Sequence, residues 1–390
     1  VSKKIRKKVE QDLDVLAAAR LRFAELYERF DRVVVSFSGG KDSTVCLNLA
    51  LEAAHAAKRL PVDVMFFDEE AIPPETIEYM ERVRAREDVR LKWVCAPIKH
   101  RNACSREEPY WICWDPAKKD LWCRPLPPNV IQDYPGFYFG AAMPNVAHRV
   151  YPAQGGTLAM IRGIRAGESI HRYRSVAHRV DENWINNSVE GYAYQCSPIY
   201  DWSTTDVWTA PQVLGWDYNR AYDLMSMAGI KPHNQRCCPP YGEEPMRSLW
   251  IYAVCWPDLW HKMVKRVPGA NAGGRYCGGE LYGQDLKLPT GLTWRDWTFS
   301  QLDLYPALYR RIIAGNVSAL LDDHRKKTSR PLTEEMPDPI TGLCWKALAT
   351  LVNRGDLKCR RKAAINTTGS AHKDGTYQEV LEEGQDECRY

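Results

Sequence analysis

Hydrophobic and polar positions fall into blocks whose period changes along the chain. Leu16, Ala19, Phe23, Leu26 and Phe30 recur at alternating spacings of three and four, so residues 9–30 read as an amphipathic helix. The run Val33, Val34, Val35 reads as a buried strand, and after the polar stretch Ser36 to Thr44 the apolar positions return with helical period from Val45 to Ala57. Val62 to Phe67 is a second strand. Pro73 and Pro74 with Glu75 are helix-start chemistry, and Ile77, Met80 and Val83 give that helix its apolar side. Val89 to Cys95 is a third strand, and Thr157 to Ile164 a fourth. Strands alternating with helices across short joints predict an α/β fold with a doubly wound, mainly parallel sheet, whose ligand site lies at the strands' C-terminal ends. Asp68, Glu69 and Glu70 leave the second strand at that edge, and a helix N-cap role is the competing reading for Glu69 and Glu70.

Between Ala96 and Gly156 the periodicity disappears while Pro, Trp and Cys crowd together, which reads as an insertion covering the site. Further on, Ser203 caps a helix containing Asp206, Val207 and Trp208, and the helix of Tyr218 to Gly229 is stopped by its glycine. Both read as structural. The expected organisation is an N-terminal helix at 1–30, an α/β domain at 31–260 with its insertion at about 96–156, and a helical, locally basic C-terminal region at 261–390.

Composition narrows this picture further. The chain has 390 residues, enough for one large or two ordinary domains. It has no run of eighteen apolar residues, and its first residues lack the apolar stretch of a signal peptide, so a cytoplasmic protein is expected. Thirteen cysteines are odd in number and irregular in spacing, which points to reduced thiols or a metal cluster rather than a disulfide scaffold. A net charge of +4 is a weak hint of a polyanionic partner. Two local clusters say more: His324, Arg325, Lys326, Lys327 and Arg330, then Lys358, Arg360, Arg361 and Lys362. They are candidates for gripping a nucleic-acid backbone, or else solvated helix ends.

The stretch Ser36 to Thr44 reads SFSGGKDST. Gly39 and Gly40 permit backbone conformations and a close approach that let successive N–H groups curl around an anion at a helix N-terminus. Ser38, Ser43 and Thr44 add hydroxyls and Lys41 adds a cation, so the expected guest is a phosphate chain. The spacing is neither a Walker loop nor a dinucleotide fingerprint. It resembles the SGGxDS loop of the ATP pyrophosphatase (PP-loop) superfamily. That resemblance implies an adenine nucleotide α-hydrolase-like fold and a loop holding the pyrophosphate of ATP while an acceptor oxygen attacks the α-phosphorus.

A second element, GIRAGES at residues 163–169, is similar to the GxRxxES element of the phosphoadenosine phosphosulfate (PAPS) reductase-like branch, and the resemblance with strong motifs covers residues 30 to 260. It implies that Arg165 contacts nucleotide phosphates, that Gly163 lets the chain approach, and that Glu168 orients Arg165. Arg172, Arg174 and Arg179, interleaved with His171, Tyr173 and His178, form the densest basic stretch near the site. Ser36, Phe67 and Asp68 complete the expected nucleotide contacts, with Asp42 and Asp68 as candidate Mg²⁺ ligands. Cys237 and Cys238 are adjacent, as in the iron–sulfur reductases of that branch, and Cys113, Cys123, Cys255 and Cys277 are candidate remote ligands. No later C-x-x-C completes a cluster, and the terminal ECGLH of PAPS reductases is missing.

The expected activity is therefore that of an ATP α-pyrophosphatase that adenylylates an acceptor oxygen, after which sulfur displaces AMP. Lys41, Asp42 and Arg165 carry the chemistry, with ATP and Mg²⁺ as cofactors. The favoured acceptor is a DNA backbone phosphate, as in the DNA phosphorothioation enzymes that resemble this branch, with a sulfur donor or DNA-reading protein as partner. Reduction of a sulfonucleotide such as PAPS, and a nucleotide-sensing DNA-binding regulator, are the alternatives.

Overall fold

At the centre of the fold lies β1 (Arg32–Ser36), whose Val33, Val34 and Val35 are all buried, as expected of a strand covered on both faces. The computed structural model describes residues 12–168, 170–176, 184–186, 188–237, 241–242, 248–276, 287–353, 355 and 357. Clustering of contacts divides the chain into two units, Val1–His100 with Tyr110–Gly274, and Arg101–Pro109 with Arg275–Tyr390.

The first unit holds a five-stranded sheet in the order β3-β2-β1-β6-β7, parallel throughout. Its strands are β1, β2 (Val62–Phe67), β3 (Val89–Val94), β6 (Leu158–Arg162) and β7 (Ala193–Cys196). Two short segments, β4 (Lys99–Arg101) and β5 (Tyr110–Ile112), pair separately. Helix α1 (Val15–Arg29) lies against α2 (Lys41–Ala56), which packs on β1, β2 and β6. Helix α3 (Pro74–Arg84) starts with a proline at its first position, where no N–H is needed, and packs on β3. Four of the five strands match the sequence reading. β7 was not foreseen, because its four residues are buried only at the two ends and show neither a run nor a clean alternation.

The insertion after β3 includes α4 (Met143–Val146), and α5 (Ile170–Val176) follows β6. Helix α6 (Thr204–Leu214) begins at the Ser203 cap, whose side chain accepts the Asp206 N–H while the Asp206 carboxylate accepts the Ser203 N–H. Then come α7 (Ala221–Met227), α8 (Trp250–Cys255) and α9 (Pro257–Arg266). Gly229, just past α7, has φ of 77°, the left-handed turn that ends a helix.

The second unit is helical among its described residues, with helices Trp294–Leu302, Ala307–Lys327 and Trp345–Asn353, the first packing on the last. Arg106 Nη2 donates to Asn353 Oδ1 at 2.9 Å and Arg101 Nη2 to the Gly355 carbonyl at 3.0 Å, which draws the short 101–109 excursion into this unit. No helix among the described residues is long and apolar enough to cross a membrane.

Candidate functional site

Gly39 opens the turn with φ of 70°, and a Cβ there would stand 2.6 Å from Met80 Cε and 3.1 Å from Thr76 Cγ2. The left-handed conformation therefore demands glycine, and a side chain would also have to push the Met80 methyl aside. Gly40 is the N-cap of α2 and supplies no side-chain cap; the first helical N–H, that of Lys41, is taken by the Tyr222 phenol instead. The Ser43 hydroxyl donates to the Gly40 carbonyl at 2.9 Å and lies 3.2 Å from the Ser38 hydroxyl, which accepts the Gly40 N–H at 3.3 Å. These bonds brace the loop from within. Thr44 differs from expectation: it turns into the core, nearly fully buried, with its hydroxyl 3.2 Å from the Tyr79 phenol. Ser36 closes β1, and Phe67 closes β2 as a buried side chain.

Two cations border this loop. Lys41 is buried, with its Nζ donating to the Gln235 carbonyl at 3.1 Å and lying 3.7 Å from Asp42 Oδ2. Burial lowers its pKa, and the nearby Asp42 charge opposes that shift. Arg165, also buried, pairs through Nε with Asp42 Oδ1 and reaches Glu168 through Nη2 at 3.4 Å. Glu168 pairs in turn with Arg172, so one carboxylate links two arginines. Gly163 sits where the end of β6 meets the start of α2, and a Cβ there would lie 2.8 Å from the Asp42 carbonyl carbon and 2.9 Å from the Ser43 nitrogen.

Helix α7, read from sequence as merely structural, holds the loop. The Tyr222 phenol accepts the Lys41 N–H at 2.9 Å, and Asn219 Nδ2 donates to the Gly39 carbonyl at 3.0 Å and to Thr76 Oγ1 at 2.8 Å. Asn219 and Tyr222 stand three residues apart beside the apolar Ala221 and Met225. Asn219 precedes α7 and its Oδ1 accepts the Ala221 N–H at 3.0 Å, while Tyr222 lies in the helix's first turn, and both are buried.

The acids at the end of β2 take other parts than expected. Asp68 is buried; its Oδ2 accepts from Trp93 Nε1 at 2.8 Å and pairs with Arg124, while Oδ1 accepts the Glu70 N–H at 3.0 Å. Glu70 is fully buried in a bidentate pair with Arg266, at 2.8 and 3.1 Å, and accepts the N–H groups of Trp114 and Cys123 at 2.7 and 3.1 Å. Neither Glu69 nor Glu70 caps α3, whose N-cap is Pro73. Glu69 lies 3.5 Å from His100 Nδ1, and its pKa is pushed up to about 8 by burial and then by the Asp68 charge.

Neither carboxylate expected to hold Mg²⁺ is presented as a metal ligand. Asp42 is shared between Arg165 and Lys41, and Asp68 is consumed by Trp93, Arg124 and its own chain. Among the described residues no three His, Cys, Asp or Glu side chains gather as a metal site. Cys237 lies 3.6 Å from Asn219 Nδ2, beside the loop. Cys113, Cys123 and Cys255 are engaged with separate parts of the first unit. Cys238, Cys277, His178 and Arg179 lie outside the described residues, as do the side chains of His171 and Arg174 and the cluster of Lys358, Arg360, Arg361 and Lys362. In the other basic cluster, His324 is buried against Thr341 and the Arg330 carbonyl, and Arg325, Lys327 and Arg330 pair with Asp322, Asp323 and Asp338.

Residues 32–225 match the family described as phosphoadenosine phosphosulfate reductase domain, and residues 229–325 match a domain of unknown function. The chain is 31% identical over 374 residues to the uncharacterized protein YbdN of Escherichia coli (strain K12), covering 90% of this chain and 91% of that one. It is 37% identical over 98 residues to sulfate adenylyltransferase subunit 2 of Streptomyces lavendulae, covering 25% of this chain and 30% of that protein. Among solved structures, the FMN adenylyltransferase of Candida glabrata is similar at 13% identity with a TM-score of 0.34, over 56% of this chain and 62% of that one.

Proposed function

The chain belongs to the phosphoadenosine phosphosulfate reductase-domain family, and we propose from that premise that it binds ATP at residues 36–44 and transfers the adenylyl group to an acceptor oxygen. The observation that carries this reading is the pair of buried cations, Lys41 and Arg165, held against Asp42 at the start of α2. Attack at the α-phosphorus forms a bond to the acceptor oxygen and breaks the bond to the bridging oxygen, so negative charge gathers on departing pyrophosphate. Fixed cations and amides at that place stabilise the transition state more than the ground state. In this reading Ser38, Gly39 and Gly40 cradle the pyrophosphate, Asp42 positions the two cations, and Glu168 orients Arg165 and Arg172. The likeness to a sulfate adenylyltransferase subunit supports adenylyl transfer.

The acceptor we propose is a DNA backbone phosphate. Its adenylylated oxygen leaves with AMP when a sulfur nucleophile attacks the DNA phosphorus, giving a phosphorothioate. Sulfonucleotide reduction instead needs a thiolate at the site. Burial pushes the thiols of Cys46, Cys95, Cys113, Cys123, Cys196, Cys255 and Cys344 up, so a reductive step would fall to another cysteine, Cys237 beside the loop being the first to test.

Anaerobic incubation with α-labelled ATP, Mg²⁺ and duplex DNA tests the proposal. Pyrophosphate release with label on the DNA is the expected result. Pyrophosphate release without labelled DNA keeps the ATP reading and removes the DNA acceptor. Absence of ATP cleavage, with sulfite released from PAPS, overturns adenylyl transfer in favour of reduction.

A further inference from the structure

Arg162 is the last residue of β6, at the ligand edge of the sheet and one residue before the glycine that abuts Asp42. It is half-buried, and its Nε is buried with no hydrogen-bond partner among the described residues. Other arginines of this unit differ in this respect: Arg165 is held by Asp42 and Glu168, Arg172 by Glu168, Arg124 by Asp68 and Arg266 by Glu70. No carboxylate among the described residues forms an ion pair with Arg162. A guanidinium stays charged and carries five donors, so leaving it desolvated and unpaired is unfavourable unless something else completes it. Burial presses its pKa down, Cys196 opposes that shift, and the Arg172 charge adds to it.

The local charges point the same way. The charged group that bears on Arg162 is another cation, Arg172, and no carboxylate among the described residues offsets it. We infer that Arg162, with Arg172 beside it, is the seat of a tetrahedral oxyanion belonging to the acceptor, distinct from the loop that takes the ATP phosphates. This rests on the reading of residues 36–44 as the ATP site. A planar fork of N–H groups matches two oxygens of a phosphate or sulfate, which a lysine would hold only as a point charge. The oxyanion is either a phosphodiester of a nucleic acid or a free sulfate or phosphate.

The test is calorimetric titration of the full chain, R162M and R162K with inorganic sulfate, inorganic phosphate and a dinucleotide carrying one phosphodiester. Each titration is run with and without a saturating non-hydrolysable ATP analogue. At least one oxyanion binds the parent chain. R162M weakens that binding tenfold or more, R162K weakens it less, and affinity for the analogue stays within twofold. Preference for the dinucleotide assigns the seat to a nucleic acid, and preference for sulfate or phosphate to a free anion. R162M melts no lower than the parent, because no described residue pairs with the guanidinium it removes. Equal oxyanion affinity in R162M, no oxyanion binding by the parent, or a parallel loss of analogue affinity overturns the inference, as does a melting temperature several degrees lower. A chain that ignores the ATP analogue but binds an oxyanion through Arg162 loses the ATP reading and keeps this seat.

Discussion

The Tyr222 phenol accepts the Lys41 backbone N–H at 2.9 Å, so the helix that follows the glycine turn is gripped at its start by a side chain 181 residues further along. Tyr222→Phe leaves that N–H buried without a partner, which destabilises the fold by about 1–3 kcal/mol. Urea unfolding reads the loss, and hydrogen exchange at the Lys41 amide speeds up. Unchanged stability with unchanged exchange would show that the phenol is a bystander.

Gly163→Ala tests the contact between the two motifs. The new methyl group lies 2.8 Å from the Asp42 carbonyl carbon, so the end of β6 and the start of α2 must part. Overpacking of this kind lowers stability by about 1–3 kcal/mol. Affinity for an ATP analogue falls at least tenfold, because the displaced segment carries both Arg165 and Asp42. Calorimetry that finds parental affinity contradicts the assignment of this junction to the nucleotide site.

Glu70→Ala breaks a fully buried charge pair from one side. Arg266 keeps its charge, and the N–H groups of Trp114 and Cys123 lose their acceptor. The expected loss is about 3–5 kcal/mol, measured from thermal and urea midpoints. Replacing both partners, Glu70→Leu with Arg266→Met, recovers part of it, since no lone charge then remains inside. A double variant as unstable as the single one sinks the argument.

Glu69 gives a pH dependence. Its pKa in the folded chain rises to about 8 from the ordinary 4.5, so the folded state binds the extra proton between those values. The stability it contributes is fully present below the unfolded pKa and is lost as pH climbs through the folded one. Glu69→Gln removes this slope, with His100 and Asp68 left in place as the other titratable neighbours. Parent minus variant stability falls by on the order of 1–3 kcal/mol between pH 5 and pH 8.5, allowing for the partial exposure of the side chain. Parallel curves for the two proteins refute the shift.

Much of the first unit was legible because its information is local. Val33 to Val35 announce a covered strand, Gly39 and Gly40 a turn before a helix, and Ser203 with Asp206 a helix start within four residues of sequence. What stayed hidden depends on partners distant in the chain. Nothing near Asn219 or Tyr222 says that they hold Gly39 and Lys41. Glu70 resembles a helix cap until Arg266 is brought to it, and Asp68 resembles a ligand at the strand edge until Trp93 and Arg124 close over it. Thr44 belongs to the motif by spelling, but α2 rotates it to the side of Tyr79.

Because β1 lies between β2 and β6, the two motif-bearing turns are neighbours in space although the whole insertion separates them in the chain. The closure entropy of such an excursion grows only with the logarithm of its length, about 0.6 kcal/mol per doubling. The stretch between β3 and β6 is tied down where Trp114, Cys123 and Arg124 meet Glu70 and Asp68, and can change length elsewhere while the turns above the central strand keep their places. Evolutionary change is therefore expected to be slow in the two turns and at those contacts, and faster in the rest of the excursion.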